Sequence, residues 1–238
     1  MKILEKVYNN FLKFFGDIKV YKYPMFILYD PGSYKIKGDE IRQVINIIEP
    51  GDILIRGYVN YLDGYFIPGF FSHAGLYIGK VSEKEKSLLK PEQYSFFKTG
   101  DQLVIHSMAE GVFMEDIINF CRCDYMVILR RNEKIKTENS KNYTYEKVLN
   151  KAMQNLGKEY DFKFDFNDFH KLSCTEFVYD CCKGFLDDYG IKVKNKRVLL
   201  MNKRMITPDD FINSKLDIIW KSTSVSDETI NKIRKNKL

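Results

Sequence analysis

Short apolar segments separated by turn residues dominate the middle of the chain, and this pattern is typical of β-strands. Four segments show it: GDILIRG (51–57), SHAGLYIGK (72–80), DQLVIHSM (101–108) and DYMVILRR (124–131). In the second segment, period-two alternation puts His73 and Gly75 on one face and Ala74 and Leu76 on the other. The polar residues from 81 to 101 predict a long excursion between two of the strands.

Helical signals follow the strands. A helix from about Thr144 to Leu156 is predicted, because Thr144 is a good N-cap and apolar residues follow it at helical spacing. A second helix should begin near Cys174 and end before Gly190. The segment TPDDF (207–211) is a strong helix start, with proline at the first position and an aspartate three residues after the cap. The pattern predicts an α+β fold, with a small, mostly antiparallel sheet and helices around it.

The two ends of the chain differ from this middle. Residues 3–15 carry apolar side chains at helical spacing, which predicts an amphipathic helix that packs on the main domain or meets a membrane surface or a partner. Basic residues cluster late in the chain. We therefore divide it into an N-terminal extension (1–45), a main domain (46–220) and a basic C-terminal tail (221–238).

Composition and charge narrow the function classes. The chain has 238 residues, of which 45% are hydrophobic, and 38 basic residues against 32 acidic ones give a net charge of +6. This excess is too small and dispersed to indicate nucleic-acid binding. The sequence shows neither the apolar core of a signal peptide nor a run of roughly 18 apolar residues. We expect a soluble, cytoplasmic protein.

The first candidate for chemistry is Cys174, in the stretch KLSCTEFVYDCC (171–182). Five cysteines form no disulfide framework, so reduced thiols are expected. Cys174 falls at the projected start of a helix, where free N–H groups and the helix dipole favour a thiolate and lower the thiol pKa. Cys181 shares an apolar stripe with Phe177, so packing is the better interpretation there.

Two histidines could assist that thiol. His73 and His106 lie in strand-like segments with small neighbours, whereas His170 lies in a polar loop and is expected to be solvated. Either strand histidine could be structural, but with Cys174 they permit a Cys–His pair that a third polar group orients.

A zinc site is the weaker alternative. Four cysteines could contribute to it, as the pairs Cys121, Cys123, Cys181 and Cys182. The usual C-x₂-C spacing is absent, and two adjacent cysteines diverge on a helix. We therefore expect no metal and no cofactor.

Together these segments resemble a known superfamily. The ordered series GDILI, SHAGLYIG, VIHSMAEGV, AMQNLGKEYDFKFDF, LSCTEFVYD and MNKRMITPDDF is similar to the NlpC-type papain-like enzymes. The histidine strand precedes the cysteine segment, as in the circularly permuted branch of YiiX/YaeF-like proteins and, more distantly, lecithin–retinol acyltransferase-like enzymes. The resemblance covers about residues 48–215. It implies a permuted papain-like fold, a half-barrel of antiparallel strands packed with helices.

The resemblance also implies roles for individual residues. Cys174 matches the nucleophile, His73 the general base, and His106 the third group that orients the imidazole. Many relatives have a carboxylate at the third position, so Glu110 is the alternative there. Tyr160 matches a tyrosine that helps to stabilise the oxyanion.

The substrate is the most open part of this prediction. The aromatic stretch 57–71 runs into His73, and it is either core packing or an apolar wall for an acyl group. The wall would contain Tyr65, Phe66, Phe70 and Phe71. We predict a thiol hydrolase or acyltransferase that acts on a lipid-like or apolar acyl substrate, with peripheral contact to an anionic membrane. The alternatives are an amidase or endopeptidase that cleaves peptide or cell-wall amides, and a non-catalytic binding module.

Overall fold

The structure is a computed structural model, and it describes residues 19–22, 25–28, 34–59, 67–82, 97–135, 143–164, 166, 168–198 and 201–235. The strands in these ranges are β1 (Lys19–Lys22), β2 (Met25–Leu28), β3 (Ile53–Gly57), β4 (His73–Lys80), β5 (Gln102–Met108), β6 (Gly111–Asp116), β7 (Tyr125–Arg130), β8 (Lys194–Val198), β9 (Met201–Met205) and β10 (Asp217–Lys221). The helices are α1 (Gly38–Ile47), α2 (Ile117–Phe120), α3 (Tyr145–Gln154), α4 (Cys174–Leu186), α5 (Pro208–Ile212) and α6 (Asp227–Lys235).

Six of the strands form one antiparallel sheet, in the spatial order β10–β7–β3–β4–β5–β6. β4 lies between β3 and β5, so that His73 pairs with Arg56 and Gly75 pairs with His106. The strand pairs β1–β2 and β8–β9 form separate hairpins. The α+β class and the antiparallel sheet predicted from the sequence are confirmed.

Each face of the sheet is covered by its own apolar cluster, because neighbouring residues of a strand point to opposite faces. Ala74 and Leu76 of β4 belong to the first cluster, which also contains residues of α3, α4, α5 and α6. Tyr77 of the same strand belongs to the second cluster, with residues of α1 and α2. Phe177 anchors α4 in the first cluster, and its full burial contributes about 2–3 kcal/mol. The alternation predicted for β4 is confirmed.

The predicted helix starts are found where the capping residues placed them. The Thr144 side chain accepts the N–H of Lys147 at 3.3 Å and begins α3. At α5, the N–H of Thr207 donates to the Asp210 carboxylate at 2.7 Å. α4 begins at Cys174, as the sequence predicted.

Folded elements extend beyond the predicted domain limits of 46–220. α1 buries Val44 and crosses the boundary placed between residues 45 and 46. At the other end, α6 buries Ile230 and Ile233 in the first cluster. Much of the segment interpreted as a basic tail is therefore part of the core, because two isoleucines at i, i+3 spacing lie among its charged residues.

The predicted N-terminal helix over residues 3–15 lies outside the described residues. None of the helices within the described ranges is both long and apolar enough to cross a bilayer.

Candidate active site

Cys174 is the first residue of α4, and hydrogen bonds tie the segment before it to the sheet. The hydroxyl of Ser107, in β5, donates to the carbonyl of Leu172 at 2.5 Å. In the first turn of the helix, Glu176 accepts the N–H of Ser173 at 2.7 Å. The start of α4 is thus fixed against the strand that carries His106.

Glu176 also holds the aromatic connector that precedes the helix. Its second carboxylate oxygen accepts the N–H of Phe166 at 2.8 Å. Phe164 and Phe166 both have a φ of 54°, a left-handed conformation that costs a non-glycine residue of order 1–3 kcal/mol. The Glu176 carboxylate helps to maintain this bent backbone beside Cys174.

The sulfur of Cys174 is buried, with 2% of the residue exposed. Burial raises the pKa of this thiol to about 11, although the backbone N–H groups of Ala74 and Thr175 point at the sulfur and oppose the rise. The expectation of a lowered thiol pKa is therefore wrong, because desolvation outweighs the helix N-terminus. Burial also raises the pKa of the other four thiols, to about 12 for Cys121.

The same contact places the thiol next to the backbone of β4, one residue along the chain from His73. Ala74, whose N–H faces the sulfur, is the residue after His73. α4 packs on the face of the sheet that contains Ala74, while the His73 ring packs on the other face against Phe120. The Cys174 sulfur and the His73 ring therefore both lie at the start of β4.

The two strand histidines are hydrogen-bonded to each other. Nε2 of His73 and Nδ1 of His106 lie 2.9 Å apart, and both residues are buried. Burial lowers the pKa of His73 well below its ordinary value, and the charge of Arg56 lowers it further. Burial also lowers the pKa of His106, to about 4, although Glu115 opposes this shift. Both imidazoles are neutral at pH 7.

The carboxylate beside His106 is Glu115, and not the predicted alternative Glu110. Oε2 of Glu115 lies 3.2 Å from Nε2 of His106 and 3.7 Å from Nη1 of Arg56. Arg56 also donates to the Phe120 carbonyl at 2.9 Å. Glu110 is exposed in the turn between β5 and β6, so the prediction that Glu110 is the carboxylate beside His73 and His106 is wrong.

Sequence reasoning missed Glu115 because it did not predict β6. In the observed register Glu115 pairs with Val104, two residues from His106 along β5. This register puts both side chains on one face of the sheet. The alternation in GVFMED (111–116) could have indicated that face, once the strand was paired with β5.

Tyr160 lies in a connector that joins β6 to the segment before Cys174. The N–H of Val112 donates to the carbonyl of Lys158 at 2.8 Å, and the N–H of Leu172 donates to the carbonyl of Glu159 at 2.9 Å. The structure thereby brings Tyr160 to the strand-like pairing that leads into α4.

An aromatic cluster that the sequence analysis did not single out surrounds Tyr160. Its ring centroid lies 4.8 Å from that of Phe162 and 5.8 Å from that of Phe164. Lys203, from β9, lies over the Phe164 ring with Nζ 5.3 Å from the centroid. This partly exposed cluster belongs to the connector before Cys174 and is a second candidate wall for a substrate.

The predicted wall in residues 57–71 is only partly described. Tyr65 and Phe66 lie outside the described residues. Phe70 is 38% exposed, and its predicted role as a substrate contact stays a prediction. Phe71 is 1% exposed and belongs to the first core cluster, so for this residue packing replaces the predicted role. Asp209 holds the turn by accepting the N–H groups of Phe70 and Phe71 at 2.8 and 3.0 Å.

The cysteines of the zinc alternative are separated by the sheet. Cys121 and Cys123 belong to the second cluster, whereas Cys181 and Cys182 belong to the first. Among the described residues no group of three or more histidine, cysteine, aspartate or glutamate side chains could hold a metal ion. His170 is exposed, as predicted.

Comparisons with known proteins identify the family of this chain. A family profile described as "permuted papain-like amidase enzyme, YaeF/YiiX, C92 family" matches residues 47–231. A comparison with curated protein sequences finds no match. Among solved structures, the chain is similar to one titled metalloprotein yiiX from Escherichia coli O157:H7. The TM-score is 0.49 at 15% identity, over 73% of this chain and 97% of that one. Because the profile matches most of its length, the chain belongs to the permuted papain-like amidase family, whose members are cysteine amidases or peptidases.

Proposed function

We propose that this protein hydrolyses an amide bond, with Cys174 as nucleophile, His73 as general base and His106 as the group that orients His73. The observation that carries the proposal is the buried His73–His106 hydrogen bond at the strand position where the Cys174 sulfur meets the Ala74 N–H. A binding module would gain nothing from burying two imidazoles and a thiol at this point, since burial of polar groups is costly.

The resting pair is a neutral thiol with a neutral imidazole. The pKa of Cys174 is raised and that of His73 is lowered, so a preformed thiolate–imidazolium pair is disfavoured. His73 therefore accepts the thiol proton as the sulfur attacks the carbonyl carbon. The C–N bond then breaks, and His73 returns the proton to the leaving amine. Water attacks the resulting thioester, releasing the acid and restoring the thiol.

The negative charge that develops on the carbonyl oxygen during attack must be stabilised by hydrogen-bond donors. The first N–H groups of a helix have no partner within the helix, which makes the backbone N–H of Cys174 one donor. The Tyr160 hydroxyl is the second donor in this proposal, supported by its place in the connector that pairs with the segment before Cys174.

An amide is a better-supported substrate than a lipid, because the family is described as amidases. The exposed Phe70 and the cluster of Tyr160, Phe162 and Phe164 favour an apolar group on the acyl side of that amide. Lipid-like acyl esters and acyl transfer to an amine or alcohol remain the second candidate, which the exposed aromatic surface supports.

The test is turnover of peptide amides and acyl esters by Cys174→Ala and Cys182→Ala variants. Both cysteines are buried in α4, so the pair controls for loss of a buried thiol. We expect Cys174→Ala to lose all turnover while Cys182→Ala keeps it. Hydroxylamine should trap the acyl group from the wild type and the Cys182 variant alone. Equal turnover by the two variants would overturn the proposal, and a preference for esters would favour the lipid candidate.

A further inference from the structure

We propose that Glu115 is a positioning residue, which fixes the tautomers of His106 and His73 so that Nδ1 of His73 carries the lone pair that receives the thiol proton. The inference rests on the proposed function for its catalytic meaning. The tautomers themselves can be measured without any substrate.

The argument begins with the two distances around His106. Nε2 of His106 lies 3.2 Å from the Glu115 carboxylate, and Nδ1 lies 2.9 Å from Nε2 of His73. A carboxylate accepts and does not donate, so the proton of His106 belongs on Nε2. Nδ1 of His106 is then an acceptor, and His73 must donate from its own Nε2. Nδ1 of His73 is left without a proton, as a general base requires.

Without the carboxylate the chain of donors could reverse. His106 could carry its proton on Nδ1 and donate it to Nε2 of His73. The remaining proton of His73 would then sit on Nδ1, and the ring could not accept a proton there. The Glu115 carboxylate excludes this reversed state, because it offers no hydrogen to Nε2 of His106.

Among the described residues, no other group competes for Nε2 of His106 or Oε2 of Glu115 as a hydrogen-bond partner. The contact between Nε2 of His106 and Oε2 of Glu115 is off the line of a well-aligned hydrogen bond, and neither atom has another hydrogen-bond partner among the described residues. Arg56, 3.7 Å away, keeps this half-buried carboxylate charged.

The charge balance around Glu115 supports an ionised carboxylate. Burial raises its pKa, but the close contact with His106 and the charges of Arg56 and Arg122 outweigh burial and leave the pKa below its ordinary value. The groups that face this carboxylate, from β3, β5, β6 and the segment after α2, are Arg56, His106, Asp116, Cys121 and Arg122. When His73 accepts a proton, this negative charge stabilises the cation through His106.

The direct test is ¹⁵N NMR of wild-type protein labelled at histidine, with the exposed His170 removed in a His170→Gln variant for assignment. We expect the shifts of both His73 and His106 to show protonated Nε2 and unprotonated Nδ1 at pH 7. Because this uses the wild-type site, it does not depend on a variant that folds. A His106 signal with the proton on Nδ1 would overturn the inference.

The second test is the rate at which an alkylating reagent modifies Cys174 in Glu115→Gln, with Glu110→Gln as control. A glutamine can donate to His106 or accept from it, so the tautomer is no longer fixed. We expect the alkylation rate of Cys174 to fall about 10- to 100-fold in Glu115→Gln. The acidic limb of its pH–rate profile should also shift to lower pH. Glu110→Gln should match the wild type. A lower alkylation rate without any shift of the pH–rate profile would indicate a merely structural role and would count against the inference.

The outcomes separate the inference from the proposed function. If His73→Ala leaves Cys174 labelling unchanged, the Cys–His mechanism fails, whatever the tautomers are. If His73→Ala slows labelling but Glu115→Gln does not, the mechanism stands and the role of Glu115 is refuted.

Discussion

His73 and His106 share one hydrogen bond of 2.9 Å, between Nε2 of the first and Nδ1 of the second, in adjacent strands of one sheet. The bond fixes the ring of His73 in a site where Phe120 packs against both imidazoles. The fold therefore fixes the orientation of the His73 ring and shields it from solvent.

Removing that orienting ring should affect the chemical step more than binding. In His106→Ala, His73 loses the acceptor for its Nε2–H, and we expect kcat to fall about 10²-fold while KM changes little. His106→Gln offers a side-chain oxygen to the same proton and should recover part of the loss. Steady-state kinetics check this, and a rise in KM at constant kcat would contradict it.

Gly75 should not tolerate a side chain. A Cβ there would lie 2.7 Å from Cε2 of Phe120 and 2.9 Å from Cγ1 of Val104, so Phe120 would be pushed from the two histidines. We expect Gly75→Ala to destabilise the protein by about 1–3 kcal/mol in urea unfolding. Gly184→Ala is the control, because Gly184 is exposed in α4 with nothing within 4 Å of its added Cβ. It should stabilise by about 0.5–1 kcal/mol. Equal effects of the two changes would refute the steric argument.

Glu176 should make stability depend on pH. Burial, helped by the charge of Asp161, raises the pKa of this carboxyl from 4.5 to about 7, although the N–H groups of Ser173 and Phe166 oppose the rise. The folded protein therefore keeps a proton that the unfolded chain has lost, and the free energy of unfolding falls as pH rises from about 4.5 to 7. This component should be roughly 1–3 kcal/mol. Urea unfolding should show this fall in the free energy of unfolding in Glu228→Gln, a control at an exposed site, and not in Glu176→Gln. The same slope in both variants would rule it out.

We keep peripheral membrane contact as a prediction, now placed on the β8–β9 hairpin. Exposed cations there include Lys194, Arg197 and Arg204, and each is worth about 1 kcal/mol near an anionic surface. Sedimentation with anionic vesicles should show binding that weakens in high salt and in Arg197→Gln/Arg204→Gln.

The control variant for this experiment is Lys183→Gln/Lys215→Gln, which removes the same charge from other exposed sites. Phe70→Ser tests apolar contact, whereas Phe71 is unsuitable because it is in the core. No binding to either neutral or anionic vesicles, or equal loss in both double variants, would refute the assignment.

Local patterns predicted the elements that carry the site. Alternation in β4, the start of α4 at Cys174 and the cap at Thr207 follow from nearest neighbours in the chain, and the structure confirms them. The catalytic roles of Cys174 and His73 stay predictions.

What the sequence did not reveal depends on long-range contacts. Glu115 reaches His106 only through the register of β5 and β6, and the raised pKa of Cys174 depends on how deeply the fold buries it. The buried face of α6 was hidden among charged residues in the same way. Neighbouring residues in a sequence specify periods and caps, but they do not specify cross-strand partners or desolvation.

The measurement that tests the central claim most directly is the alkylation rate of each of the five cysteines at neutral pH, read by mass spectrometry in wild type and in His73→Ala. The account predicts that Cys174 reacts fastest in the wild type, because His73 accepts its proton and two backbone N–H groups face the sulfur. In His73→Ala the Cys174 rate should fall at least about tenfold, while the other four rates stay constant. Five similar rates, or a Cys174 rate that is indifferent to His73, would contradict the claim that these two residues act as a pair.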